Sequence, residues 1–252
     1  MTGGPERGGE ESHPRDRAVP EFSVIVPTLD EESRLDETLR RARAALGPES
    51  ELIVVDGGSR DRTAEIAALH GAALAAARCR GTQLATGARA ATGQILIFLH
   101  ADTWLPEGSG DALRAAVRAG AGAGCFRFAV HPPARGLRYR LLEWGVNWRT
   151  QCFNTATGDQ AIFASRGAYD ASGGFGDLPL FEDVAFVRAV RRVARFEKLP
   201  LAALTSRRRW EGGFLRTVLK HWALRVAYSA GADPSRLSRY HARPTPRAAR
   251  DR

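Results

Sequence analysis

Cysteine, methionine and lysine are all scarce in this 252-residue chain, and the cysteine shortage narrows its chemistry most. Cys79, Cys125 and Cys152 make an odd number, and no C-x-x-C occurs. That argues against a disulfide framework or a cysteine-built zinc site, and it suits a reducing compartment. No base stands near any of the three to activate a catalytic thiolate. Long apolar runs are missing as well: none reaches the roughly 18 residues of a membrane span. Residues 1–20 are rich in Gly, Glu, Arg and Pro and lack the apolar core of a signal peptide. They read as a disordered leader, and the chain reads as cytoplasmic. Three phosphate-loop and nucleophile motifs are also lacking. Without G-x-G-x-x-G after the first strand there is no dinucleotide turn, without G-x-x-x-x-G-K-[ST] no P-loop, and without G-x-S-x-G no hydrolase elbow.

What is present fits one sizeable α/β domain, with 44% apolar residues. The formal net charge is +9. The excess is mostly arginine, gathered at Arg188, Arg191, Arg192 and Arg195, at Arg207, Arg208 and Arg209, and beyond Arg236. Such a surface can be a solvated face, or it can meet diphosphate, anionic lipid or nucleic acid. No reading helix and no aromatic RNA-binding sheet accompanies it, so nucleic acid is not the expected partner.

Short β-rich runs alternate with helical stretches. Strands are expected at 22–26, 52–55, 72–77 and 95–99, and helices at 32–46, 61–70, 82–91 and 111–119. Such alternation predicts a mostly parallel, Rossmann-like central sheet flanked by helices. Beyond Gly122 the pattern loosens into strands at 125–130 and 160–164 and helices at 137–148, 183–193 and 214–230. The last helix is amphipathic with a basic edge. Packing against the main sheet is its expected role, and a weak peripheral contact with anionic membrane is the alternative. Trp144, Trp148 and Trp222 are expected as core or helix-packing residues. Residues 21–240 thus read as one domain, with 21–120 the nucleotide-binding half and 121–240 the acceptor and catalytic half. Residues 241–252 read as a basic, disordered tail.

In such sheets ligands sit beyond the carboxyl ends of the strands, so the residues there carry the chemistry. They are Pro27-Thr28-Leu29-Asp30-Glu31, Asp56-Gly57-Gly58-Ser59 and His100-Ala101-Asp102-Thr103. Helix capping by Asp61 or Ser59 explains one polar group per turn but not three polar clusters on one edge. Asp56 can accept hydrogen bonds from a base or ribose, and Gly58 lets a ligand approach the backbone. Asp102 is placed to hold Mg²⁺ or Mn²⁺ beside a diphosphate that supplies the other oxygens. His100, two residues earlier, shares its side if the segment is extended. Glu182 and Asp183 open a helix and offer a general base. Asp159, Gln160, Arg208, Arg209 and Trp210 could frame an acceptor or close over phosphates.

With these residues in hand, the chain resembles glycosyltransferase family 2, of GT-A fold, and within it a subgroup of rSAM/selenodomain-associated transferases. Pro27 to Glu31 resembles the family's base-cradling segment, with Asp30 where Asn is usual. Asp56 to Thr63 resembles D-G-S-x-D-x-T, and Arg80-Gly81-Thr82-Gln83 the stretch meeting ribose and phosphate. His100-Ala101-Asp102 stands for D-x-D with its first acid replaced. Glu182-Asp183 matches the E-D pair, which implies that Asp183 is the base. Arg207 to Trp210 echoes Q-x-x-R-W without its Gln, which argues against a polymer-extruding synthase. The resemblance implies an inverting, metal-assisted sugar transfer from a nucleotide-sugar, with uridine diphosphate the favoured nucleotide and the acceptor unnamed. A nucleotidyltransferase, the rival enzyme, would need a glycine-rich loop where Thr28-Leu29-Asp30-Glu31 stands.

Overall fold

The computed structural model describes residues 19–131 and 136–241. The expected leader lies outside the described residues as far as 18, and the expected tail does so from 242. The first half runs β1 (Phe22–Thr28), α1 (Leu35–Leu46), β2 (Glu51–Asp56), α2 (Thr63–His70), β3 (Ala72–Ala75), α3 (Arg80–Ala90), β4 (Ile95–Phe98), β5 (Thr103–Trp104) and α4 (Ser109–Arg118). The second half runs β6 (Ala123–His131), α5 (Leu137–Phe153), a 3-10 turn (Gly158–Gln160), β7 (Ile162–Ser165), α6 (Arg166–Ala171), α7 (Glu182–Val190), β8 (Phe196–Ser206), α8 (Arg208–Glu211), α9 (Phe214–Ser229) and α10 (Pro234–His241).

The strands form one eight-stranded sheet in the order β3-β2-β1-β4-β7-β6-β8-β5. β3, β2, β1 and β4 are mutually parallel, as the alternation predicted. Beyond β4 the sheet is mixed. β7 runs antiparallel to β4 and β6, β8 runs parallel to β6, and β5 is antiparallel to β8. Helices cover both faces, which is why the middles of the central strands are near-continuous apolar runs. Val24, Val26, Leu52, Val54 and Ile97 pack with Leu35, Leu39, Ala42 and Leu113 of α1 and α4 on one face. Ile25, Ile53, Val55, Leu96 and Phe98 pack with Leu84, Ala88, Phe186 and Val187 of α3 and α7 on the other. Truncating one fully buried member such as Ile25 costs about 2–5 kcal/mol.

The longest strand, β8, was not legible in the sequence. Its ladder with β6 breaks between Cys125 and Arg127, which pair with Lys198 and Ala202. Leu199, Pro200 and Leu201 therefore bulge opposite Phe126. Proline has no N–H to give a ladder, so it sits at the bulge. The expected strand at 160–164 starts later, at Ile162, because Gln160 closes the 3-10 turn by accepting the Thr157 N–H at 3.2 Å.

One expectation fails in α5 and α9, and one holds in part. Trp144, Trp148 and Trp222 are 65%, 49% and 66% exposed, not core residues. α9 buries only Leu224. It meets the main sheet through Phe214 and Val218, which join a small cluster with Phe128 and Val130 of β6, Tyr139 and Trp210. Among the described residues, no helix is long and apolar enough to cross a membrane.

Candidate active site

β1 and β2 end side by side, with Thr28 opposite Asp56. Pro27 and Thr28 are buried, and Leu29 is half-buried beyond them. The Thr28 hydroxyl donates to Asp56 Oδ1 at 3.2 Å. Asp56 Oδ2 accepts the N–H groups of Gly58 and Ser59 at 3.0 and 2.9 Å, and the Ser59 hydroxyl also donates to the carboxylate. Gly58 has φ +89°, a conformation that favours glycine. The two following loops are laced together. Asp30 N–H donates to Ser59 Oγ, Glu31 N–H to Thr63 Oγ1 and Glu32 N–H to Asp61 Oδ2, while Arg60 N–H returns to Asp30 Oδ1. Asp30 has φ +53°, a region that Asn and Asp enter more readily than other side chains. Aspartate therefore serves here without loss of the loop's shape.

β4 leads into a turn, not the extended segment the spacing suggested. Thr103 N–H donates to the His100 carbonyl at 3.0 Å. Ala101 faces the core, and its carbonyl accepts from the Thr38 hydroxyl at 2.7 Å, so its side chain is no donor contact. Asp102 is 6% exposed. Its Oδ2 lies 3.7 Å from Arg208 Nη2, and the same nitrogen donates to both oxygens of Glu31 at 2.7 Å. Arg208 Nε is buried with no hydrogen-bond partner. Arg208 thus joins the first strand end to the fourth, a link the sequence did not reveal.

Asp183 lies in the first turn of α7, whose positive dipole end favours a carboxylate. Its Oδ2 accepts the Gly158 N–H at 2.8 Å. Gly158 rests directly on the His100 ring, where an added Cβ would stand 2.2 Å from Nε2. So His100, the 158–160 turn and Asp183 form one contiguous group. Glu182 beside it is 2% exposed, and Arg80 Nη1 reaches its Oε1 at 3.4 Å. Burial raises the Glu182 carboxyl above its ordinary range and Asp183 adds to this, while Arg80 pulls the other way. Burial opposes the Arg80 charge, yet the negative field of Glu182, Asp183 and Asp102 raises its pKa. Arg80 therefore ties the start of α7 electrostatically to Asp102.

The start of α3 is zipped to the segment preceding α7. Cys79 Sγ donates to the Leu178 carbonyl at 3.4 Å, and Thr82 Oγ1 to Asp177 Oδ1 at 2.6 Å. A Cβ on Gly81 would meet the Gly176 carbonyl at 2.2 Å. Gly81 thus serves this packing. Gln83, also expected at the donor, is buried, and its Nε2 donates to the carbonyls of Thr28 and Val55, both at 2.8 Å. It braces the ends of β1 and β2.

Beside Asp183 opens a cleft of about 550 Å³ between α5, α7, α8 and α9. His100, Arg80, Gly158, Asp159, Glu182 and Asp183 form its polar end. Phe128, Leu142, Val146, Leu180, Trp210 and Val218 form apolar walls. Asp56 and Asp102 stand on the same sheet edge but do not line this cleft. Asp159 is largely buried and accepts from the Thr157 hydroxyl at 2.6 Å. Gln160 is fully buried, taking the Thr150 hydroxyl and donating to the Phe126 carbonyl, so it cannot frame a ligand. Trp210 is a wall residue, set edge-on against Phe128. Arg209 falls in α8, and its side chain is outside those described. Arg149 and Arg225 also line the cleft, and sequence reading missed both.

Among the described residues no three His, Cys, Asp or Glu side chains gather to cage a metal. One hard carboxylate, Asp102, flanked by an arginine with a free buried nitrogen, suits an ion that arrives with the oxygens of a diphosphate.

This geometry defines a GT-A type transferase fold. The sequence profile of glycosyl transferase family 2 matches residues 23–169, more than half of the chain, and the chain belongs to that family. Solved structures agree in fold. The mannosyltransferase PcManGT of Pyrobaculum calidifontis, in complex with GDP-Man and Mn²⁺, is 19% identical with TM-score 0.61, covering 89% of this chain and 70% of that one. S. aureus TarS 1-349 is 19% identical with TM-score 0.60, covering 74% of this chain and 60% of that one. Glucosyl-3-phosphoglycerate synthase of Mycobacterium tuberculosis, with Mn²⁺ and UDP-glucose, is 18% identical with TM-score 0.54, covering 80% of this chain and 77% of that one. Among curated proteins, the undecaprenyl-phosphate 4-deoxy-4-formamido-L-arabinose transferase of Pseudomonas aeruginosa is 51% identical over 47 residues. That stretch is 18% of this chain and 14% of the relative.

Proposed function

We propose that this protein is an inverting glycosyltransferase that moves a sugar from a nucleotide-sugar, with uridine diphosphate as the nucleotide, to an acceptor oxygen. One observation carries the reading: Asp183, pinned by the Gly158 N–H, stands at the mouth of a cleft continuous with His100 and linked through Arg80 to Asp102. The laced loops at 28–31 and 56–63 cradle the base and ribose, with Asp56 presented at the end of β2. Asp102 would hold a divalent ion against the diphosphate, and that ion would neutralise charge on the leaving group. Arg208 pairs with Glu31 and has a nitrogen to spare, so it can turn toward a bound phosphate. Asp183 takes the proton of the attacking oxygen as the new bond forms on the face of the sugar opposite the nucleotide.

The test is Asp183→Asn with transfer and nucleotide binding measured together. Transfer should fall by about 10²–10⁴-fold, the usual scale for general base loss. The thermal shift given by uridine diphosphate with Mn²⁺ should persist, because Asp183 lies on the acceptor side. Undiminished transfer would remove Asp183 from the mechanism.

A further inference from the structure

Arg208 meets Glu31 through a single nitrogen. Its Nη2 alone donates to both carboxylate oxygens, at 2.7 Å each. An arginine paired with a carboxylate commonly offers two nitrogens in a fork. Here Nε, which could complete such a fork, is buried without a partner. The same Nη2 stands 3.7 Å from Asp102 Oδ2. Three carboxylate oxygens from two strand ends thus converge on one nitrogen. Carboxylates surround a metal ion in the same way, one bidentate and one monodentate.

The two acids sit on fixed backbone, whereas the arginine is held by its side chain. Glu31 N–H donates to Thr63 Oγ1 at 2.8 Å, and the Glu31 carbonyl accepts from the N–H groups of Arg34 and Leu35 at the start of α1. The Asp102 carbonyl accepts the Ser206 N–H at 2.9 Å, and Thr103 beside it pairs with Thr205 in the β5–β8 ladder. Arg208 reaches both acids on a long unbranched stem from the first residue of α8. Rotation of that stem is enough to withdraw it. Glu31 and Asp102 would then face each other as like charges largely out of water, so another cation must take the place.

We propose that Arg208 is an exchangeable plug: it holds the cation place between Glu31 and Asp102 until a diphosphate draws it off, and a divalent ion then enters with Glu31 as its second carboxylate. The diphosphate is taken from the transfer reading above; the plug itself stands on the geometry of the three side chains. A diphosphate offers Arg208 what it lacks, an acceptor for Nε together with acceptors for its terminal nitrogens. The two acids are never left without a cation, and the ion arrives with the phosphates whose charge it neutralises. His100 stands where the D-x-D pattern has its first acid, and Glu31 supplies an acid from a different strand end.

The experiment measures Mn²⁺ binding to the full chain without nucleotide, read from the electron paramagnetic resonance signal of free Mn²⁺. The parent should bind weakly. Arg208→Gln should bind at least about tenfold tighter, because it opens two carboxylates to the ion and removes a competing positive charge. Arg208→Met keeps most of the stem and should agree, which guards against a misfolded Gln variant; melting curves check both. Arg208→Lys leaves a cation in place and should stay at the parent's level. Glu31→Gln or Asp102→Asn, added to Arg208→Gln, should each cancel the gain. Unchanged Mn²⁺ affinity in the folded Gln and Met variants would overturn the plug. A gain that survives Glu31→Gln would overturn the two-carboxylate site. Uridine diphosphate added to the same samples separates the two readings. Nucleotide binding with no Mn²⁺ gain in the variants sinks this inference alone. Failure of the nucleotide to bind any sample sinks the transfer reading, while the nucleotide-free Mn²⁺ comparison still decides the plug.

Discussion

Replacing Gly158 by alanine tests whether the turn over His100 sets the position of Asp183. Gly158 does not have positive φ, so alanine is not strained by its backbone there, and the perturbation is steric. The added methyl would stand 2.2 Å from His100 Nε2 and 2.7 Å from its Cε1. Either the ring rotates away or the 158–160 turn lifts. Overpacking of this kind costs about 1–3 kcal/mol. For a chain of this size that lowers the melting temperature by about 2–12 °C, at about 2–4 °C per kcal/mol. A lifted turn also withdraws the Gly158 N–H from the carboxylate. A hydrogen bond to a charged group contributes about 1.5–3 kcal/mol, so kcat should fall about ten- to hundredfold. Differential scanning calorimetry and a transfer assay read the two effects. His100→Ala opens the space, so the double variant should regain stability, with a coupling of about 0.5–3 kcal/mol. A Gly158→Ala protein with the parent's melting temperature and kcat would refute the reasoning. So would a double variant whose losses simply add.

Gly81→Ala drives a methyl into the Gly176 carbonyl at 2.2 Å, and backbone cannot swing aside as a side chain can. It should cost about 1–3 kcal/mol in denaturant titration; an unchanged midpoint would mean that α3 is not packed as described. Burial pushes the Cys125 thiol up to about 12, so only about one in 10⁴ is thiolate at pH 8. An aromatic disulfide reagent should titrate exposed Cys152 first and half-buried Cys79 next, with Cys125 reacting only in guanidinium. Three thiols reacting in the native protein would contradict that burial. Asp102→Ala should abolish the Mn²⁺-dependent part of nucleotide binding while leaving the Arg208–Glu31 pair intact. Full transfer by the parent in EDTA would remove the metal from the scheme.

The first half of the fold was legible because its strands are buried on both faces. Runs such as Val24-Ile25-Val26 and Ile95-Leu96-Ile97-Phe98 admit no other reading, and the polar groups that follow them fall on one sheet edge. Beyond β4 that logic weakens. β8 carries Glu197, Lys198 and Pro200, and its burial follows no period of two, so no strand pattern was visible. Gln83 and Gln160 look like ligand-binding residues in sequence, because a string cannot show which carbonyls an amide will meet. α5 and α9 mislead for a different reason. An apolar stripe states that a helix face avoids water, not whether protein or something else covers it. Arg149 had no signal, and Arg225 showed only as part of the basic edge of the last helix, since 76 positions separate them and neither sits in a motif.

The zipper between residues 79–82 and 176–182 has a consequence for anyone recombining this fold. The helix bearing Asp183 is anchored through contacts that belong to the other half of the chain. A chimera that grafts a foreign carboxyl-terminal half onto residues 19–131 would import a helix whose moorings were cut to fit another α3. Retaining specificity in such a swap means moving Cys79, Arg80, Gly81 and Thr82 together with the graft.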